Sequence, residues 1–246
     1  MRIDFHSHIL PGIDDGAKNL EESIRLLDMM AADHVDIVAA TPHFYCTKSS
    51  IHRFLDKRAR AFEKLKAAMK PEHPKVILGA EVLYDHALVG KEALSRLTIE
   101  GTDFMLLEMP YSKITPEIIE DVDKISNDFD VKLMIAHIER YLHFTSMSSL
   151  CELLDLNVVG QMNADSLTHI RTRSSCLKLV KNGYVQVLGS DWHRTERGDA
   201  AISEGLAVIE KKFGTETTIE IDKTSLNTTY RNEKRICDFA NSIYPE

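Results

Sequence analysis

Five of the eleven histidines in this chain, His6, His8, His43, His137 and His193, stand at the ends of apolar runs, where valine or leucine would be ordinary. Three carboxylates hold comparable places, Glu81 in "LGAEV", Glu108 in "LLEMP" and Asp191 in "LGSDWH", and Asp15 in "IDFHSHILPGIDDG" is a ninth candidate donor just past the first strand. Strand alternation turns His6 and His8 to the same side, so two imidazoles can take neighbouring coordination positions. Imidazoles and carboxylates without cysteine suit Mn²⁺, Fe²⁺ or Zn²⁺ and argue against a structural thiolate zinc site. Nine donors are too many for one ion and about right for two or three. A lone histidine ending a strand is ordinarily satisfied by backbone. Five histidines and three carboxylates close apolar strands, where burial without compensating partners would cost several kcal/mol each, so a shared pocket is expected. The other histidines, His34, His52, His73, His86, His143 and His169, fall on expected helices or loops and are assigned to the surface.

The elements that must carry these residues alternate in the manner of repeated βα units. Expected strands are Ile3–His6, Asp36–Thr41, Lys75–Glu81, Asp103–Glu108, Val131–His137, Asn157–Asn163 and Val185–Ser190. Expected helices are Leu20–Asp33, Ser49–Lys70, Ala87–Leu97, Pro116–Asp128, Ser146–Leu156, Leu167–Asn182 and Asp199–Phe213. Residues 214–246 read as a short polar strand or turn and a closing helix, Arg231–Ile243. Parallel barrels gather their chemistry at the C-terminal ends of the strands, where the nine donors fall. Length, the absence of a linker-like composition shift, and 43% hydrophobic against 28% charged residues predict one globular α/β domain spanning 1–246.

A net charge of −8 argues against a chain whose main business is neutralising nucleic-acid phosphates. No signal-like N-terminus or membrane-spanning run is evident, and a cytoplasmic protein is expected. Cys46, Cys151, Cys176 and Cys237 form no CxxC pair, which suits a reduced compartment, and none has an arginine six positions later for phosphocysteine chemistry. The Ser49–Lys70 stretch carries Arg53, Lys57, Arg58, Arg60, Lys64 and Lys66 beside an apolar face. It reads as a solvated outer helix, with a basic docking face for an acidic partner segment as the alternative.

The H-x-H opening, His43, Glu81, His137 and the closing D-x-H at Asp191/His193 resemble the motifs of the polymerase-and-histidinol-phosphatase (PHP) superfamily, in order and over nearly the whole chain. The resemblance implies a distorted seven-stranded (β/α)7 barrel with a trinuclear metal site. Within it, "HSHILPGIDDGAKNLEESI", "ATPHF", "LLEMP" and "AHIERY" resemble the bacterial metal-dependent protein-tyrosine phosphatases of capsular and extracellular polysaccharide systems. That branch implies manganese, Asp15 rather than Asp14 as ligand, and Glu108 where other branches carry histidine. By analogy His6, His8, Glu81 and Asp191 surround one ion. Glu81 bridges to a second held by Glu108 and His137, and Asp15, His43 and His193 hold the third.

The expected chemistry is hydrolysis of a phosphotyrosine monoester by a metal-bridging hydroxide, with Arg140 neutralising phosphoryl oxygens. The substrate implied is the tail of a cognate bacterial tyrosine kinase. A second phosphate-binding arginine is expected at Arg197 in "DWHRTERGD", with Arg194 as the other candidate, and His193 is a candidate acid. Asp14 either orients a ligand or shapes its loop, Gln161 and Asn163 either bind substrate or satisfy the barrel rim, and Tyr111 and Tyr141 either stack on a substrate ring or pack the barrel. Two other functions stay open: a small-molecule phosphatase acting on histidinol phosphate or sugar phosphates, and a non-catalytic binding barrel. The second predicts loss of several donors, whereas all nine are present.

Overall fold

The structure, a computed structural model, describes residues 1–128, 131–195 and 201–223. Arg197, Cys237 and the expected closing helix Arg231–Ile243 lie outside the described residues. The strands are β1 (Ile3–Ser7), β2 (Ile37–Ala40), β3 (His43–Phe44), β4 (Lys75–Leu78), β5 (Glu81–Leu83), β6 (Phe104–Glu108), β7 (Lys132–Ile135), β8 (Val158–Asn163) and β9 (Val187–Gly189). The helices are α1 (Leu20–Ala32), α2 (Ile51–Lys66), α3 (Pro116–Asp128), α4 (Met147–Leu154), α5 (Ala164–Thr168), α6 (Ile170–Lys181), α7 (Ile202–Phe213) and α8 (Thr215–Lys223).

All the strand pairings are parallel, in a three-stranded sheet β1-β2-β4 and a six-stranded sheet β3-β5-β6-β7-β8-β9. Each expected strand region contains a strand, but the third is broken in two and the second resumes past its expected end as β3, so there are nine short strands where seven were expected. Pro42, which has no N–H to offer a ladder, ends β2 and the chain resumes pairing as β3. Across from it the third region breaks at Gly79-Ala80, where Gly79 N–H donates to Ala40 O and Glu81 N–H to Pro42 O. At the other seam β1 meets the end of β9 through the Ser7–Trp192 bridge and a hydrogen bond from Asp191 N–H to His6 O. The result is an α/β fold whose parallel sheets curl around a common interior.

That interior is built by alternation. Ile37 and Ala39, Ile77, Phe104 and Leu106, Met134 and Ala136, Val159, and Val187 form one apolar cluster with Ile3, Phe5 and Ile99. The intervening residues, such as Val38, Met105, Leu133 and Leu188, join the second cluster, which packs beneath the helices. Continuing each inward row by twos leads to His43, Glu81, Glu108, Gln161, Asn163 and Asp191, all near the C-terminal ends. Each row therefore passes from apolar to polar along the same direction.

Two expected helices and one expected strand or turn are revised. Ala87–Leu97 is not one helix but two 3₁₀ turns, His86–Leu88 and Leu94–Leu97, because Gly90 (φ 75°) and Ala93 (φ 68°) turn left-handed between them. Leu167–Asn182 is interrupted at His169, whose extended backbone separates α5 from α6. Residues after Gly214 form α8 rather than a short strand or turn: the β-branched "TETTIEID" run lies against α7 and β9 and buries Ile221. His73 is likewise not a surface residue; its ring is buried, with Nε2 3.0 Å from Asp28 Oδ1. Among the described residues no helix is long and apolar enough to cross a membrane.

Candidate metal centre

Three of the nine donors, His6, His8 and His137, arrive against the alternation. Ile3 and Phe5 face the apolar interior, so His6 and His8 would by simple alternation face the helices. An irregularity in the β1–β2 register between Asp4 and Ser7 brings the two histidines inward instead. His137 follows the inward Ala136 and would point outward, but its backbone is left-handed (φ 30°). Asp191 (φ 52°) is also left-handed, so two of the four non-glycine residues with positive φ among the described residues are candidate donors. Such backbone costs about 1–3 kcal/mol each and clusters at functional sites.

The nine side chains converge. His6 Nε2 and His8 Nε2 are 3.2 Å apart. Glu81 Oε2 lies 3.1 Å from each of them and 3.0 Å from His43 Nδ1, while its Oε1 is 2.9 Å from His137 Nε2. Asp191 Oδ1 is 3.4 Å from both His6 Nε2 and His8 Nε2. Glu108 approaches His137 Nε2 at 3.6 Å and His43 Nδ1 at 3.9 Å. Asp15 Oδ1 closes the far side, 3.4 Å from His43 Nε2 and 3.5 Å from His193 Nε2. Asp15 is the exposed member; His6, His8, Glu81, Glu108, His137, Asp191 and His193 are buried and His43 nearly so.

The arrangement fits divalent cations better than hydrogen bonding alone. His6 Nδ1 faces Gln161 Oε1 at 3.1 Å and His8 Nδ1 faces Asp14 Oδ2 at 2.8 Å, which assigns the ring proton to Nδ1 in both. The two Nε2 atoms then face one another and Glu81, a cluster that needs positive charge among its members, supplied by a bound cation or, without one, by ring protons. Glu81 Oε2, although within 3.1 Å of three imidazoles, receives no properly angled hydrogen bond, and His137 Nδ1 and His43 Nδ1 are also buried without one. Donor atoms within 4.8 Å of one another form three groups: His8, Asp15, His43 and His193; His6, His8 and Glu81; and His43, Glu81 and Glu108. This grouping differs from the partition implied by the resemblance: His8 and His43 each belong to two groups, and Glu108 groups with His43.

Burial alone would raise the Glu81 and Asp191 carboxyls. The surrounding groups outweigh it, His6, His137 and His43 for Glu81 and His6, His8 and Arg140 for Asp191, and hold both well below the usual range. Glu108 is raised by burial and by the neighbouring Glu81 charge. Burial opposes charging of His6, yet Glu81 and Asp191 carry it up to about 9. His193 goes the other way, to about 4, through burial and the adjacent His8. Its Nδ1 stands 2.8 Å from the Asp191 carbonyl, leaving Nε2 as a lone-pair donor directed toward Asp15. The cluster therefore keeps two deeply buried carboxylates ionised, as a cation site requires.

Around the donors lies a supporting layer, only part of which the sequence indicated. Asp14 does both things considered for it: Oδ2 pairs with His8 and accepts His43 N–H (3.0 Å), while Oδ1 accepts Gly16 N–H (3.0 Å). Gln161 Oε1 accepts His137 N–H (2.8 Å), and Asn163 Nδ2 donates to Asp191 Oδ2 (3.0 Å), so both amides orient donors. Two residues went unnoticed. Asp4 Oδ1 accepts His6 N–H (3.1 Å) and Ser190 N–H (2.9 Å), tying β1 to the end of β9. Glu139, buried with Asn163 N–H and Ser166 Oγ as donors, is pushed up by burial to about 7. A charged residue inside a strand was the available signal for Asp4; nothing local distinguished Glu139.

Arg140 sits on the 3₁₀ turn Ile138–His143, half-buried, with Nη2 donating to Asp191 Oδ2 and Nη1 3.4 Å from the Tyr111 hydroxyl. Tyr111 is half exposed at the rim, its ring 6.2 Å from His137 and stacked 5.5 Å from the exposed Phe144. Tyr141 is different. It is fully buried, its hydroxyl accepting Met109 N–H, and it packs the barrel. Arg194 reaches the Asp15 carbonyl at 3.4 Å.

A family model described as "Capsular polysaccharide synthesis, CpsB/CapC" matches residues 2–229. Among curated relatives, the tyrosine-protein phosphatase YwqE of Bacillus subtilis is 27% identical over 227 residues, covering 87% of this chain and 86% of the relative. The tyrosine-protein phosphatase CpsB of Streptococcus pneumoniae is 26% identical over 231 residues, covering 89% and 94%. A chain from the crystal structures of YwqE from Bacillus subtilis and CpsB from Streptococcus pneumoniae, described as metal-dependent tyrosine phosphatases, superposes with a TM-score of 0.75 at 23% identity. That match covers 88% of this chain and 89% of the other, and shows the shared fold.

Proposed function

Because the chain belongs to the CpsB/CapC family of capsular polysaccharide synthesis proteins, we propose that it is a metal-dependent phosphatase that hydrolyses phosphotyrosine in proteins. The substrate in this reading is the tail of a cognate bacterial tyrosine kinase, acted on in the cytoplasm. The two curled sheets are counted as one distorted seven-stranded barrel, each broken strand region taken once. The curated relatives carry the phosphatase name, and the observation here that supports it is the convergence of His6 Nε2 and His8 Nε2, 3.2 Å apart, on the ionised Glu81 carboxylate.

His6, His8, Asp15, His43, Glu81, Glu108, His137, Asp191 and His193 would hold two or three divalent ions, Mn²⁺ for preference with Fe²⁺ or Zn²⁺ also suited to the donors. When bound, such ions polarise phosphoryl oxygens and lower the pKa of a water that attacks phosphorus. The chain's own residues do the rest. Arg140, held by Asp191 and Tyr111, presents its guanidinium to the phosphoryl oxygens. Tyr111 and Phe144 offer an aromatic wall beside it for the substrate ring. His193 acts through its Nε2 lone pair as a ligand rather than as an acid; a phenolate leaves without much help. Arg197 is kept as the candidate second arginine.

The deciding experiment combines metal analysis of the purified protein with phosphate release from phosphotyrosyl peptides and from histidinol phosphate. The reading expects stoichiometric transition metal and turnover of the peptides that is lost in His137→Ala and on chelation. Full activity after exhaustive chelation, or a preference for histidinol phosphate, overturns it.

A further inference from the structure

A cleft of about 700 Å³ opens beside the metal centre and shares two walls with it, Asp15 and His43. Its outer wall is cationic: Lys48, Arg53, Lys57 and Arg60 line it. Arg53, Lys57 and Arg60 stand at i, i+4 and i+7 on α2, so they form one stripe along the helix face that borders the cleft. Phe54, buried against Phe44 with ring centroids 5.1 Å apart, anchors that face to the core, and the four cations stay exposed. Lys48 lies over the Tyr45 ring and Lys57 caps the Ile13 carbonyl, which fixes two of the charges in place. Among the described residues no carboxylate pairs with the side chain of Arg53 or Arg60. The two lining carboxylates are already engaged, Asp14 by His8 and Asp15 by His43 and His193. In a chain of net charge −8, an uncompensated cationic stripe running into the site selects for a ligand of opposite charge.

We propose that this cleft binds the polypeptide flanking the scissile phosphotyrosine and selects substrates whose flanking residues are aspartate or glutamate. The inference rests on the phosphatase reading above and names its substrate class. From Arg53 to Arg60 the stripe is seven residues of helix, about 10 Å, which matches about three residues of extended chain. The occupant is therefore a short acidic stretch continuous with the phosphotyrosine.

The test compares wild type with Arg53→Glu/Arg60→Glu and Arg53→Gln/Arg60→Gln on three probes: a phosphotyrosyl peptide with acidic flanks, the same peptide with serine flanks, and p-nitrophenyl phosphate. Glutamate at position 53 falls three residues after the N-cap Ser50, where it completes a capping box, so α2 is supported in the variant. At roughly threefold per exposed charge pair lost, the glutamine pair raises KM for the acidic peptide about tenfold, and the double reversal, which adds repulsion, raises it further. Serine-flanked peptide and p-nitrophenyl phosphate are unaffected, and the wild-type preference for the acidic peptide shrinks as salt is raised. Equal kcat/KM for the two peptides in wild type, or an equal loss on p-nitrophenyl phosphate, overturns the proposal. Should none of the three probes be hydrolysed, it is the phosphatase reading that fails. The cleft is then judged by fluorescence anisotropy of the labelled acidic peptide, where equal affinity of wild type and double reversal rejects it.

Discussion

Asp14 Oδ2 stands 2.8 Å from His8 Nδ1, on the opposite side of the imidazole from Glu81 and His6. A carboxylate placed behind a ligand histidine fixes its tautomer and strengthens its basicity, and losing it typically costs 10–100-fold in metal affinity. Asp14→Asn is expected to weaken metal binding by about that factor and to recover activity at saturating metal. Unchanged affinity in a competitive chelator titration would show that Asp14 serves only its loop.

Metal should stabilise the fold as well as equip it. A ligand present at about 100 times its Kd adds about 2.7 kcal/mol to the folded state. Thermal unfolding with Mn²⁺ is therefore expected several degrees above that with chelator, and His137→Ala is expected to narrow the gap. A melting temperature indifferent to chelation speaks against a metal site at the strand ends.

Arg140 is the one guanidinium held between Asp191 and the rim among the described residues. Removing a preorganised donor to a developing anion ordinarily costs 10²–10³-fold. Arg140→Ala should lose about that much kcat/KM toward phosphotyrosyl peptide while retaining its metal. Kinetics within twofold of wild type would assign phosphate binding elsewhere.

Gly189 is where β9 passes closest to the donors. A Cβ there would lie 2.7 Å from His6 Cβ and 2.8 Å from Gln161 Nε2, so a side chain must push both aside. Gly189→Ala is expected to destabilise by about 1–3 kcal/mol and to lower metal stoichiometry together. A denaturant midpoint equal to wild type would mean the strand yields freely.

Acid sensitivity away from the site has a specific source in Asp121. Burial raises its carboxyl, but hydrogen bonds from the Tyr84 hydroxyl and from His86 Nδ1, each at 2.6 Å, outweigh burial and hold it below the usual aspartate value. A depressed folded pKa contributes stability above the unfolded value, near 3.9, and loses it as pH falls through the folded one. The stability difference between wild type and Asp121→Asn should therefore be largest near neutrality and close on acidification. A difference independent of pH, followed by urea midpoints, removes Asp121 from the account.

How much of this was legible beforehand follows from which interactions are local. The switch from apolar to polar along an inward row is a two-residue periodicity, so His43, Glu81, Glu108 and Asp191 could be placed at strand ends from their neighbours alone. Donor types could be read the same way, because imidazole and carboxylate declare their chemistry without coordinates. The break of the expected 87–97 helix and the helical turn after Gly214 could not, since backbone reversal at Ala93 and packing of α8 on α7 depend on what surrounds them.

The chain by itself determined which groups could serve as ligands and that they would lie at one end of a parallel sheet, because composition and alternation are properties of short stretches. Only the tertiary structure decided that His6, His8 and His137 face inward, through a register irregularity in β1 and a left-handed residue after β7. It also decided that Asp4 holds the first strand to Ser190, 186 residues away, and that a basic stripe on α2 opens into the site. Those outcomes come from contacts between segments far apart in sequence, and no local pattern carries them.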